Sequence, residues 1–374
     1  MNNTSLKKNL PLFLVSAVAL IILPLALQQV GNAWVRILDF ALLYVMLALG
    51  LNIVVGLAGL LDMGYIAFYA VGAYMYALLA SPHLSNNFPL IAEYFPHGLH
   101  APIWLVVPLG AGLAAFFGIL LGAPTLKLRG DYLAIVTLGF GEIIRIFINN
   151  LNQPLNITNG PQGITGIDGI TIFGVPLDKP HTVFGYTIAP VSMHFYLFVV
   201  LVVFSVILCR RLQDSRIGRA WMAIREDEIA AKAMGINTRN MKLLAFAMGA
   251  TFGGVSGAMF ASFQEFVSPE SFTLMESIVI LAMIVLGGLG HVPGVIMGAI
   301  LLAALPEALR YVRLPFIEPE ILRQLIYGLA MVLIMLFKPK GLWPAPEHGQ
   351  ALKDSSQPDA PPGALASGAV GGAK

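Results

Sequence analysis

Long apolar runs separated by short polar stretches dominate the chain from residue 10 to residue 337. A helix needs roughly 20 apolar residues to cross a bilayer, and about ten runs reach or approach that length. The pattern therefore predicts an all-α integral membrane protein with about ten transmembrane helices, some of them short or broken. We place the spans at residues 10–27, 37–55, 56–80, 103–123, 132–148, 191–209, 243–263, 274–286, 295–309 and 322–337.

The third run, residues 56–80, contains a charge at Asp62 and several glycines. The glycines are Gly56, Gly59, Gly64 and Gly72. Irregular backbone at membrane depth is tolerated only where protein or a water-filled cavity surrounds it. The run is therefore a candidate broken helix beside a transport pathway. The alternative is an unbroken helix that uses its glycines for close packing.

Charged residues inside the spans are candidates for a functional role. Glu142 and Arg145 lie one helical turn apart on one face of the fifth run. Charges at this depth usually face the bundle interior, so we expect an internal ion pair that holds helices together, with gating as the alternative. The candidate pathway or intramembrane polar residues are Asp62, Tyr65, Glu142, Arg145 and Glu276.

The most basic stretch, residues 210–242, lies between the sixth and seventh runs. It holds eight of the chain's 22 Lys and Arg, namely Arg210, Arg211, Arg216, Arg219, Arg225, Lys232, Arg239 and Lys242. Loops rich in Lys and Arg stay on the cytoplasmic side of a membrane. The same charge bias across nearly every loop predicts that both termini are cytoplasmic.

Short helices are predicted within this basic stretch. Asp214 or Ser215 suits the start of one helix and Asp227 the start of another, because each can accept hydrogen bonds from free backbone N–H groups. Gly235 suits a helix end. A stripe of small and apolar residues recurs at helical spacing, at Ala220, Ala223, Ile224, Ala230, Ala231 and Met234. The stripe predicts a docking surface for a soluble protein, and an ordinary cytoplasmic loop is the alternative.

The exterior loops and the C-terminal tail have different compositions. Residues 149–190 form the longest loop, with short β-like pieces near residues 170–175, and Lys179 is its only basic residue. His97 and His100 share another exterior loop, but no carboxylate or cysteine completes a metal set there. Residues 344–374 are rich in Pro, Ala, Gly and Ser, which predicts a disordered tail after a transmembrane domain at residues 1–343.

Composition and missing motifs exclude several classes of function. The chain is 57% hydrophobic and 11% charged, which is too apolar for a soluble globular domain. It lacks GxxxxGK[ST], HExxH and paired CxxC motifs, so we expect neither catalysis, nor a bound cofactor, nor ATP binding by the chain itself. No basic face with interleaved aromatic residues suggests nucleic acid. The single cysteine, Cys209, excludes an intrachain disulfide.

Six stretches along the chain form a recognisable series. They are residues 64–74, 128–145, 158–164, 218–236 and 287–299, and the ending with Phe337, Pro339, Gly341 and Leu342. In this order they resemble the membrane permeases of bacterial ABC importers for branched-chain amino acids, of the LivM type. Together they extend over about residues 35–343, and their order makes the resemblance specific. The tail after Pro344 matches nothing in that pattern.

The resemblance implies a mechanism and a set of partners. Residues 210–242 would be a coupling segment that docks in a groove of an ATP-binding subunit and moves with it. The expected partners are two ABC ATPase subunits, a second homologous permease and a periplasmic binding protein, all at a bacterial inner membrane. The coupling role is carried onto Gly218, Arg219, Ala223, Arg225, Glu226, Asp227, Ala230, Ala231 and Gly235.

Other readings of the same sequence remain open. A secondary transporter driven by protons or sodium ions would use a titratable group at mid-membrane, and Glu142 is available for that role. A permease of the same ABC group for urea, a short amide or a sugar would share most of these features. A structural membrane scaffold would not need charges inside its spans. ATP dependence of uptake separates the first alternative from the importer.

Overall fold

The computed structural model describes residues 20–29, 31–96, 98–125, 128, 130–172, 174–183, 186–310, 319–337 and 341–343. Helices account for most of these residues. They are α1 (Leu20–Gln29), α2 (Asn32–Leu51), α3 (Ile66–Leu79), α4 (His83–Asn87), α5 (Pro89–Tyr94), α6 (Ile103–Thr125), α7 (Asp131–Asn150), α8 (Pro190–Asp214), α9 (Arg216–Glu226), α10 (Glu228–Ala233), α11 (Thr238–Gln264), α12 (Leu274–Gly287), α13 (Val292–Arg310) and α14 (Pro319–Phe337).

The apolar helices confirm an all-α membrane fold. Five helical stretches in the described ranges are long and apolar enough to cross a membrane, namely Asn32–Leu57, Ile103–Thr125, Pro190–Asp214, Thr238–Gln264 and Pro269–Gly287. Shorter apolar helices lie at Leu20–Gln29, Ile66–Leu79 and Val292–Leu305. Each predicted span overlaps a helix, although residues 10–19 of the first span lie outside the described residues. The number of crossings stays a prediction.

The predicted break in the third run is present. Helix α2 continues into a π-helix, Asn52–Leu57, and residues 58–65 are then non-helical until α3 begins at Ile66. Most of this broken segment, residues 58–65, is buried in protein. This burial satisfies the condition under which irregular backbone is tolerated at membrane depth.

Close packing through glycine is present as well, and it centres on α11. Helix α11 packs against α3 and α6. A Cβ added at Gly72 of α3 would lie 2.0 Å from the Gly254 carbonyl oxygen, and one added at Gly257 would lie 2.0 Å from the Tyr69 carbonyl oxygen. Only glycine allows backbones to approach this closely, so the third run contains both a break and a glycine contact.

Short antiparallel strand pairs occur in the loops. They are β1 (Ile164–Thr165) with β6 (Phe266–Val267), β2 (Thr171–Ile172) with β3 (Val175–Pro176), and β4 (His181–Val183) with β5 (Tyr186–Ile188). The β2–β3 pair confirms the β-like pieces predicted near residues 170–175. The β1–β6 pair, with Ile164 opposite Val267, joins the two loops that precede α8 and follow α11. Both loops were predicted to be exterior, and their pairing places them at the same end of the molecule.

Candidate functional site

The basic stretch folds into two short helices whose ends match the predicted signals. The Ser215 hydroxyl accepts a hydrogen bond from the Gly218 N–H at 3.2 Å and begins α9. The Asp227 carboxylate accepts from the Ile229 N–H at 2.8 Å and begins α10. Gly235, with φ at +84°, follows the end of α10. Of the two candidates for the first start, Ser215 rather than Asp214 is the cap.

Two side chains attach these helices to the membrane-spanning helix α11. Trp221 is fully buried, and its indole N–H donates to the Met241 carbonyl at 2.7 Å. The Lys242 ammonium, also buried, pairs with Glu228 Oε1 at 2.7 Å. Sequence analysis did not single out either contact. Trp221 and Ile224 lie one helical turn apart, and this spacing of two apolar residues indicates a buried helix face.

The predicted apolar stripe is not one continuous surface. Ile224 and Ala231 are buried, whereas Ala230 is exposed and Met234 has 83% of its surface exposed. The single-stripe interpretation was therefore wrong. The reason is that Asp227 adopts an extended conformation, with φ at −153°, so the helical periodicity does not continue from α9 into α10.

Arg225 connects α9 to the start of the broken segment. Its Nη1 donates to the Gly56 carbonyl oxygen in the π-helix, and a Cβ added at Gly59 would lie 2.9 Å from Arg225 Cγ. The neighbouring turn between α12 and α13 joins the same cluster. There the Gly290 N–H donates to Asn52 Oδ1 at 2.9 Å, and the Gly290 carbonyl accepts from Gln213 Nε2 at 3.4 Å.

The remaining coupling candidates occupy both faces of the segment. Gly218 is buried, because a Cβ there would lie 2.3 Å from the Leu212 carbonyl oxygen. Arg219 donates through Nη1 to the Asp214 carbonyl at 2.7 Å. Ala223 is half-buried, and Glu226 is exposed.

Neighbouring helices satisfy the backbone of the broken segment. The Met63 N–H donates to Thr137 Oγ1 of α7 at 3.0 Å, and the Ile66 N–H donates to Ser277 Oγ of α12 at 3.2 Å. The Asp62 carboxylate is buried and accepts from the Gly64 N–H at 2.9 Å. The N–H groups of Met63, Gly64 and Ile66 therefore each have a hydrogen-bond partner, as irregular backbone away from water requires.

Tyr65 has a packing contact of its own. Its side chain is fully buried, and its hydroxyl donates to the Gly249 carbonyl of α11 at 3.1 Å. A Cβ added at Gly50 would collide with that hydroxyl. Of the candidate pathway residues, Asp62 thus orders the backbone within the broken segment, and Tyr65 holds that segment against α11.

A cavity of about 190 Å³ lies between α2, α3, α11 and α12. Most of its lining is apolar, and its polar groups are the hydroxyls of Tyr44, Tyr69 and Ser271 and the carboxylate of Glu276. The Tyr44 hydroxyl donates to Glu276 Oε2 at 2.9 Å. Glu276 is therefore the candidate pathway residue that borders an internal space.

Glu142 and Arg145 form the predicted ion pair, but not in the bundle interior. Arg145 Nε and Glu142 Oε2 are 3.0 Å apart, and their side chains are 30% and 32% exposed. Helix α7 turns Leu133, Thr137 and Gly141 inwards, and the charged pair lies beside that buried stripe. The expected interior placement was therefore wrong. Arg145 also approaches Glu270 at 3.8 Å.

The exterior loops are tied to the end of α3. Asp168 Oδ2 pairs with His100 Nδ1, and the Asp168 N–H donates to the Ala80 carbonyl at 2.7 Å. The Tyr76 hydroxyl donates to the Asp168 carbonyl at 3.3 Å. His97 lies outside the described residues. Among the residues that the structure does describe, no group of three or more His, Cys, Asp or Glu is placed to hold a metal ion.

Helices long and apolar enough to cross a membrane, a helix broken by a buried non-helical segment, and a charged segment packed against α11 are the features of an integral membrane protein. Comparison with known proteins gives the same class. The family model described as "Branched-chain amino acid transport system / permease component" matches residues 33–335, and the chain belongs to this family.

Individual relatives agree with the family assignment. The chain is 42% identical over 352 residues to "High-affinity branched-chain amino acid transport system permease protein LivM" of Escherichia coli K12, covering 91% of this chain and 77% of that protein. It is 26% identical to a probable LivM of Methanocaldococcus jannaschii, covering 81% and 90%. It is 24% identical to LivH of Salmonella typhimurium, covering 81% and 92%. No solved structure gives a significant match. The predicted resemblance to LivM-type permeases is confirmed.

Proposed function

We propose that this chain is a membrane permease subunit of an ATP-driven ABC importer, and that the importer carries leucine, isoleucine, valine or related amino acids. The names of the LivM and LivH relatives support the substrate class. Similarity to both of these permease types supports pairing with a second, homologous permease. Two ATPase subunits and a periplasmic binding protein complete the proposed complex, in a bacterial inner membrane with both termini of this chain cytoplasmic.

The exposed side of α10 is the observation that supports docking to the ATPase. Ile229 is 70% exposed and Met234 is 83% exposed, on a short helix whose other side is fixed by Lys242 and Ala231. Exposed apolar residues on a rigid, charged segment are typical of a protein-binding surface. We define Ile229, Ala230 and Met234 as the docking patch.

The remaining coupling candidates divide into three proposed roles. Arg219, Glu226, Asp227 and Gly235 are exposed in the same segment as the docking patch and would contact the ATPase or shape the helix ends. Gly218, Ala223 and Ala231 pack within the segment. Arg225 reaches the Gly56 carbonyl, so a movement of the docked segment would pull on the π-helix and the broken segment.

The test is to replace Met234 by Glu, which places a charge in the docking patch without altering a buried contact. A hot-spot residue at the centre of an interface contributes about 2 kcal/mol or more, and each 1.4 kcal/mol is about a tenfold change in binding. We expect ATP-dependent leucine uptake and co-purification of the ATPase to fall about tenfold or more. Thr182→Glu, an exposed position in the loop before α8, is the matched control and should leave both unchanged.

Two results would contradict the proposal. Normal uptake and ATPase co-purification in Met234→Glu would remove the docking role of α10. Leucine uptake driven by an ion gradient without ATP would instead support a secondary transporter. The pairing of Glu142 with Arg145 argues against that alternative, because the carboxylate already has a cationic partner. Competition by valine and isoleucine, but not by urea or sugars, separates the substrate classes.

A further inference from the structure

The cavity between α2, α3, α11 and α12 combines apolar walls with a carboxylate. Leu47, Ile66 and Ile280 contribute to its apolar lining, and Glu276 and Tyr44 form its hydrogen-bonded polar pair. Its volume is about 190 Å³. A cavity of about 150 Å³ lined by apolar side chains accommodates benzene. The space therefore suits a small branched aliphatic group.

Glu276 is half-buried, and among the residues that the structure describes it has no cationic partner. The ion pairs of the described residues involve Glu142, Glu228, Glu270 and Asp168, but not Glu276. Within the described residues, its carboxylate accepts a hydrogen bond from the uncharged Tyr44 hydroxyl. A carboxylate within a membrane span is costly unless it is paired, and such residues commonly mark substrate pathways. A cation that enters the cavity would supply the missing partner.

The cavity also lies where a spanning helix restarts. Ile66, which lines it, is the first residue of α3 after the broken segment, and its N–H is held by Ser277, the neighbour of Glu276. In several transporter folds, discontinuous helices form the substrate site within the membrane. The stretch of residues 56–80 therefore contacts Arg225 through the Gly56 carbonyl and borders the cavity through Ile66.

From these three observations we infer that the cavity is a transit site for the amino acid, in which Glu276 and Tyr44 bind its ammonium group and the apolar walls receive its branched side chain. This inference rests on the proposed transport function. It assigns to Glu276 a substrate-binding role and to Ile280, which is fully buried in the wall, a role in selecting the size of the side chain.

The first experiment uses the full complex in liposomes, with saturating leucine-loaded binding protein. Glu276→Gln removes the charge and keeps the shape. We expect leucine transport to fall about tenfold or more, since hydrogen bonds to charged groups are among the stronger ones. ATP hydrolysis stimulated by the binding protein should persist, because the coupling segment is untouched. Glu265→Gln, an exposed carboxylate just after α11, is the matched control and should transport normally.

The outcomes separate this inference from the function on which it rests. A wild-type complex that does not import leucine with ATP would overturn both. An active wild type with normal transport in Glu276→Gln would overturn the transit site alone. A parallel loss of transport and stimulated hydrolysis in Glu276→Gln, at normal amounts in the membrane, would also overturn it, because that result indicates a structural role.

A second measurement reports occupancy directly. Cys209 is the chain's single cysteine, so Ser271→Cys in a Cys209→Ser background places one thiol at the polar end of the cavity. We expect leucine to slow labelling of that thiol severalfold, and 4-methylpentanoate, which lacks the ammonium, to have no such effect. Adding Glu276→Gln should abolish the protection by leucine. Equal labelling with and without leucine would overturn the transit site.

Discussion

Arg225 is one of the residues through which the segment of residues 210–242 contacts the helices predicted to span the membrane. Its guanidinium donates to a carbonyl, Gly56 O, in the π-helix where the regular helical pattern ends. It also packs on Gly59, whose φ of +69° belongs to the turn that follows. A planar guanidinium suits this position, because it carries several donors in a fixed geometry and retains its charge.

Replacing Arg225 by Lys tests this connection with the charge preserved. Lysine presents a single flexible ammonium and is not interchangeable with arginine at such a site. A charge-assisted hydrogen bond contributes about 1.5–3 kcal/mol, so we expect leucine uptake to fall about tenfold or more. ATPase co-purification should persist, since the docking patch is unchanged. Arg239→Lys, exposed near the start of α11, is the control. Normal uptake in Arg225→Lys would show that the contact does not transmit coupling.

At the scale of elements, the contact between α3 and α11 depends on glycine. A Cβ at Gly72 would lie 2.0 Å from the Gly254 carbonyl oxygen, which is backbone and cannot rotate away. The helices would have to separate to admit even one methyl group. Because α3 carries the restart of the broken helix, a displacement there would also move the wall of the cavity at Ile66.

Gly72→Ala should therefore destabilise the protein by about 1–3 kcal/mol, the usual effect of overpacking. Gly139 of α7 is a matched control, because nothing lies within 4 Å of a Cβ added there. Gly139→Ala should leave stability unchanged or raise it by about 0.5–1 kcal/mol through helix propensity. The free energy of unfolding of the detergent-purified chain measures both. Equal stability of the two variants would disprove the tight contact.

Sequence signals that act over a few residues predicted the helix ends correctly, whereas contacts between residues distant in sequence were not predicted. Ser215, Asp227 and Gly235 act within a few residues of themselves, so their capping roles were readable from the chain alone. The contact of Asn52 with Gly290 joins residues far apart in sequence, and no periodicity reports such a pairing. A lone Asn in an apolar run was the only available signal.

The candidate site shows the same division. Glu276 was identified as an intramembrane polar residue, but its cavity depends on the way in which four helices meet. Glu142 and Arg145 pair as their spacing predicts, but the direction in which they face depends on the packing of α7. The contacts of Trp221 with Met241 and of Lys242 with Glu228 were missed. They depend on how α9 and α10 pack against α11, which the sequence pattern does not report.

At the scale of the whole molecule, the broken helix of residues 56–80 makes contacts at both of its ends. At one end, the Gly56 carbonyl accepts a hydrogen bond from Arg225 of the proposed coupling segment. At the other end, the Ala80 carbonyl accepts the Asp168 N–H, and Tyr76 donates to the Asp168 carbonyl. Asp168 in turn pairs with His100. The stretch from Gly56 to Ala80 therefore contacts both the proposed coupling segment and the loops predicted to be exterior.

This arrangement predicts that the outer loop and Arg225 act in one pathway. Asp168→Asn keeps the backbone contacts of residue 168 and removes only its carboxylate from His100. We expect it to weaken the stimulation of ATP hydrolysis by loaded binding protein severalfold, while basal hydrolysis is unchanged. Asp178→Asn, an exposed position in the same loop, is the control.

Combining Asp168→Asn with Arg225→Lys turns this prediction into a test of coupling. Mutations at distant, independent sites usually have additive free-energy effects, whereas residues that act through a shared element do not. If the broken helix couples the outer loop to ATP hydrolysis, Arg225→Lys already disrupts that coupling. Loss of the Asp168 carboxylate then has little further effect on stimulated hydrolysis. The double variant should then be no worse in stimulated hydrolysis than Arg225→Lys alone. Strictly additive losses would instead mean that the outer loop reaches the ATPase by a route that bypasses the broken helix.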